Sequence, residues 1–171
     1  MALRFPRSLV LPSLCSLFLA FILNGCGSSK EEAPKTCEES QPTVAKASFS
    51  DLYTTVFSPQ CGACHGPGTN SGTLGGPDLR TEDGFYNSLV GKKGTDYPQW
   101  STLQKNRESC LAFDFIKANA ADESLVVAVL DAATQLSGCE IKFHREVPQN
   151  ICITTPNLAK LKEWINAGAL R

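Results

Sequence analysis

The stretch SPQCGACHGPGTN, residues 58–70, sets two cysteines three apart and puts a histidine directly after the second. Cysteines at i and i+3 on one helical turn share a face. Such a segment attaches a c-type haem through two thioethers, contributes to a zinc site, or shuttles a disulfide. Each alternative to haem makes demands on the rest of the chain. A dithiol oxidoreductase carries its pair after a strand in a βαβ context, and none is legible here. Zinc needs two further ligands at short spacing, and the nearest candidates are remote. A plain disulfide across three residues is strained. The residues therefore favour one covalent haem c held by Cys61 and Cys64, with His65 as the proximal iron ligand.

Upstream, SFSDLYTTVF (48–57) has Phe49, Leu52, Val56 and Phe57 at helical spacing, with Ser48 or Ser50 as N-cap. This helix runs directly into Cys61. Downstream, TEDGFYNSLVG (81–91) predicts a second short helix carrying Phe85, Leu89 and Val90. ADESLVVAVLDAATQL (121–136) predicts a third, capped by Asp122. In the fourth, Thr155 caps, Pro156 takes the first helical position, and Leu158, Leu161, Trp164 and Ile165 form one stripe. Gly/Pro-rich loops separate these segments and none alternates as a strand does. The fold class expected is all-α, about four short helices around a thin core. A small core of this kind needs disulfides, a metal or a bulky apolar cofactor.

The 171-residue chain begins with an address. Arg4 and Arg7 form a basic region, and SLVLPSLCSLFLAFIL (8–23) an apolar one, the pattern of a secretory signal. A membrane-spanning anchor is disfavoured because the run is short and holds Pro12, Ser8, Ser13 and Ser16. Leu23-Asn24-Gly25-Cys26 resembles the bacterial lipobox, in which Cys26 becomes the lipidated first mature residue. Gly27 after it resembles lipoproteins sent onward to the outer membrane. Residues 26–47 then read as a disordered tether, and 48–171 as the folded domain. Loss of Arg4 and Arg7 takes the formal net charge from −1 to −3, which argues against a nucleic-acid partner.

CGACH (61–65), GGPDLRT (75–81) and the closing LKEWINAGAL (161–170) together resemble a class I, monohaem cytochrome c domain of a bacterial exported lipoprotein. The likeness covers about residues 48–91 and 150–171, and little between. It implies a small domain wrapped around the haem. It implies that Pro77 offers its carbonyl to Nδ1–H of His65, fixing the ring's tautomer and orientation. It also implies that Trp164 packs near the haem against the N-terminal helix, with Tyr53 or Phe57 opposite.

The family's usual sixth iron ligand is a methionine followed by proline. Here the sole methionine is Met1, lost with the signal. In the corresponding stretch, CEIKFHREVPQNICITTP (139–156), Val147 precedes Pro148 and cannot bind iron. His144, the only other histidine, is either an exposed residue between Lys142 and Arg145 or the distal ligand; the vacant slot favours the latter. Two imidazoles lower the reduction potential relative to Met/His ligation. An outward-facing His144 leaves an open iron, suited to a small-ligand sensor or a peroxidase.

Of eight cysteines, Cys37, Cys110, Cys139 and Cys152 remain for two disulfides, with three possible connectivities. Cys139 and Cys152 bracket the His144 loop and are expected to pair, which leaves Cys37 with Cys110. No Ser/His/Asp set, carboxylate pair or phosphate loop is present. The expected function is electron transfer to redox partner proteins from a membrane-tethered haem facing the periplasm or the exterior, rather than enzymatic turnover. Lys92, Lys93, Lys105 and Arg107 form either a docking face or a solvated loop.

Overall fold

A computed structural model describes residues 37–68, 75–98, 108–139, 151 and 153–171. The signal, Cys26, Lys105, Arg107, His144 and Cys152 lie outside the described residues. Lys35–Arg171 forms one compact unit. All regular structure in the described residues is helical, relieved by isolated bridges between Val90 and Ile116 and between Lys93 and Asp114. The all-α expectation holds at that level. No described helix is long and apolar enough to cross a membrane.

Helix α1 is Cys37–Ser40. Helix α2 (Phe49–Leu52) continues through a π-helical turn, Tyr53–Phe57, into α3 (Ser58–Gln60). The predicted stripe is the buried face, with Phe49, Leu52, Val56 and Phe57 all at most 2% exposed. Tyr53, four residues after Phe49, lies on the same face and is also buried. Ser48 is the N-cap. The amide of Cys61 donates to the Phe57 carbonyl at 2.8 Å, so the run does lead straight into the motif.

Helix α4 (Glu82–Leu89) starts at Thr81, whose hydroxyl accepts from the Gly84 amide at 3.0 Å. Phe85 from this helix stacks on Phe57, centroids 4.3 Å apart. Helix α5 (Glu108–Leu111) leads to a 3-10 turn at Ala121–Glu123 and to α6, Leu125–Leu130. The third predicted helix is thus cut short at both ends, and its cap is Ser124. Asp131 stops it: its carboxylate accepts from the Ala133 amide (3.0 Å) and the Thr134 hydroxyl (2.7 Å), a local turn that competes with helix. Lys162 bonds both Asp131 and Asp122 at 3.0 Å, fastening this turn to the last helix.

Helix α7, Thr155–Asn166, has Thr154 as N-cap and Pro156 one place further in than expected. Its end is a Schellman motif: Ala169 N–H reaches the Trp164 carbonyl, and Gly168 N–H that of Ile165, each at 3.0 Å. Gly168 carries the left-handed φ of 102° this needs. The indole N–H of Trp164 then donates to the Leu170 carbonyl at 2.6 Å. Trp164 stacks on Phe49 at 5.4 Å, which replaces the expected partners Tyr53 and Phe57; those two face Phe85 instead.

Two further expectations are corrected. Gln41 and Ala45 are buried, so the folded part begins before 48. Buried Asn157 accepts from the Ala45 amide (2.8 Å) and donates to Gln41 and to the Thr43 carbonyl (both 3.1 Å). Gln41 also accepts from the Thr154 amide at 3.3 Å. Apolar periodicity does not detect a segment that docks through such polar side chains. Among the described residues a disulfide joins Cys110 to Cys139, excluding both Cys139–Cys152 and Cys37–Cys110. Cys37 is itself disulfide-bonded. Cys110 and Cys139 are buried in one core cluster although 29 residues apart in sequence, a proximity that sequence spacing does not carry. Closing a loop of that length stabilises by ~3.5 kcal/mol in the chain-entropy account.

Candidate haem site

The site is a tight turn laid across the end of α3. The amides of Cys64 and His65 both donate to the Cys61 carbonyl, at 3.2 and 2.9 Å. This keeps Cys61 and Cys64 on successive positions of one helical turn, as the spacing requires. Neither cysteine is in a disulfide. Cys61 packs against the apolar core cluster and its thiol is pushed up to about 12, first by burial and then by the neighbouring Cys64. A nucleophilic dithiol needs a depressed thiol pKa, so this pair is poorly suited to disulfide exchange. Among the described residues no group of three or more His, Cys, Asp or Glu side chains is arranged to hold a metal ion.

The segment 75–81 crosses this turn. The Leu79 amide donates to the His65 carbonyl at 2.9 Å, and the Tyr53 hydroxyl reaches the Leu79 carbonyl at 3.5 Å. The crossing brings buried Pro77 to His65. Burial lowers the histidine's pKa, and a backbone hydrogen bond with Pro77 opposes that. Nδ1 of His65 is sealed from solvent but lies outside standard hydrogen-bond geometry, so the Pro77 contact is looser than an ordinary hydrogen bond. Proline has no N–H; its carbonyl accepts, and the imidazole is the donor. A neutral ring that donates through one nitrogen keeps a lone pair on the other. That is the state required of a metal-binding imidazole.

The sequence missed the pieces that hold the crossing in place. Asp78 and Arg80 form a paired hydrogen bond, Nε to Oδ1 and Nη2 to Oδ2, both at 3.0 Å. Gly62 and Gly66 let the Arg80 segment come close: a Cβ on Gly62 would lie 3.2 Å from Arg80 Cα. The signal was present as glycines after the first cysteine and after the histidine, but spacing alone gave them no partner. Lys92 and Lys93 are exposed. His144, Lys105 and Arg107 lie outside the described residues.

The donor set fits a haem c. It offers two thiols on one face of a turn, a neutral oriented imidazole, and an aromatic core beneath, formed by Phe57, Phe85, Tyr53 and Phe49. Set against known protein families, curated proteins and solved structures, the chain matches none.

Proposed function

We propose that this protein is a monohaem c-type cytochrome of the class I kind, an electron carrier held at a membrane surface by lipidated Cys26. The observation that carries the reading is the crossing of residues 77–79 over the Cys61–Cys64 turn, fixed by the Leu79 amide on the His65 carbonyl at 2.9 Å, which brings buried Pro77 beside His65. A disulfide exchanger has no use for such a carbonyl beside the imidazole, whereas a metal-ligating histidine does.

Bound haem supplies a one-electron ferric/ferrous couple. The chain's residues do the rest. Cys61 and Cys64 fix the group by thioethers, so it is not lost on oxidation or reduction. His65 ligates the iron, and Pro77 draws on its N–H, which makes the imidazole a stronger donor and favours the ferric state. The packed aromatic core excludes water. His144 is proposed as the sixth ligand.

The test is spectroscopic. Protein made in a host that matures c-type haem should give low-spin spectra in both oxidation states, cycle reversibly, and lack the charge-transfer band of sulfur ligation. His144→Ala should become high-spin and bind carbon monoxide. A wild type that is already high-spin and binds carbon monoxide would place a small-ligand sensor or peroxidase ahead of electron transfer.

A further inference from the structure

The Arg80 side chain lies over the motif's turn rather than out in solvent. Were Gly66 an alanine, its Cβ would sit 2.2 Å from Arg80 Cδ and 2.5 Å from Nε. Gly66 is buried although Arg80 is exposed as a whole, the arrangement of a long stem covering a surface while its charged head stays wet. Asp78 holds the head: besides the two guanidinium bonds, its Oδ1 accepts from the Arg80 amide at 3.2 Å. The two side chains are 47% and 38% exposed, and an ion pair so exposed adds little stability. Its consequence is geometric. It folds the arginine stem back onto Gly66, the residue directly after His65.

From the other side, a Cβ on Gly84 would meet the Asp78 carbonyl at 2.8 Å, so the first turn of α4 presses on the same segment. Residues 77–80 are held between α4 and the motif, with the Arg80 stem as their clasp.

We propose that Arg80 is a positioning residue for the proximal imidazole: its stem, folded by Asp78 over Gly66, holds Pro77 against His65. This rests on the cytochrome reading, and it assigns to Arg80 and Gly66 a role in tuning the iron that their exposure and small size conceal. Arg80 acts on the ring through Pro77. When the clasp opens, the Pro77 carbonyl leaves the imidazole, the ring becomes a weaker donor, and the ferric state loses support.

The experiment uses the haem-loaded protein and four variants: Arg80→Ala, Asp78→Asn, Gly66→Ala and Arg80→Lys. Gly66→Ala ejects the stem without altering Arg80, because the clash is with a flexible chain. Two readouts are taken, the midpoint potential and hydrogen exchange at the Leu79 amide. Arg80→Ala and Gly66→Ala should both raise the potential and speed Leu79 exchange at least tenfold, with the haem still covalently attached. Asp78→Asn should shift both in the same direction and by less, and Arg80→Lys, which keeps stem and charge, should restore most of the wild-type behaviour. If Arg80→Ala and Gly66→Ala leave potential and Leu79 exchange at wild-type values while haem is retained, the inference is wrong and the cytochrome reading stands. Faster exchange with an unchanged potential also overturns it, since that is a merely structural role. Absence of covalent haem in the wild type would instead sink the reading on which it rests.

Discussion

At His65 two influences oppose each other. Burial penalises the charged ring, the Pro77 carbonyl favours it, and the balance lies below the ordinary value of 6.5. A histidine whose folded pKa is depressed is held neutral by the fold, so the unfolded chain takes up a proton first as pH falls. The stability tied to the neutral ring is complete above about 6.5 and declines as pH drops through the interval between the unfolded and folded values. Denaturant melts of the haem-free chain should therefore lose stability between neutral and mildly acidic pH, and His65→Gln should flatten that slope. An identical slope in both chains would contradict the burial of the ring. The grouping of Cys61, Cys64 and His65 was legible because the motif is local: the amides of Cys64 and His65 both close on the Cys61 carbonyl. The clasp of Arg80 on Gly66 was not, because it joins positions 14 residues apart in the sequence.

Among the elements, α7 does most to hold the domain together. Its stripe of Leu161, Trp164 and Ile165 is buried to 3% exposure or less, and a 3.6-residue period reads such a stripe directly. Its polar contacts are another matter. Asn157 is fully buried and bonds Ala45, Gln41 and Thr43, none of which an apolar pattern singles out. Asn157→Ala leaves the Ala45 amide and the Gln41 carbonyl oxygen with fewer partners in a buried place, which should cost roughly 2–4 kcal/mol. Urea unfolding should show that loss; a change within about 0.5 kcal/mol, typical of surface substitutions, would mean that the lock is not a unit. Helix α6 was overextended in the sequence reading for a related reason. Apolar residues continue past Leu130, but Asp131 turns the chain by its own hydrogen bonds and is then held by Lys162 from α7.

For the molecule as a whole, docking of residues 37–47 changes the reach of the proposed anchor. Counted from Cys26, the stretch before the packed part shrinks from 22 residues (26–47) to 11 (26–36), and 11 residues span at most about 40 Å. A lipidated chain would thus hold its haem domain close to the membrane, within range of partners on the same surface. The disulfide framework teaches the same thing at this scale. Pairing by proximity in sequence put Cys139 with Cys152, whereas the folded chain returns residue 139 to Cys110. The proposed electron transfer depends on covalent haem, and the intact mass of the denatured protein, after expression with haem c maturation machinery, reads that attachment directly. The expected mass is the mature chain plus one haem, reduced to the bare chain when Cys61 and Cys64 are both replaced by alanine. A wild-type mass equal to the bare chain, from cells in which a control cytochrome is matured, would contradict covalent attachment and the electron-carrier function with it.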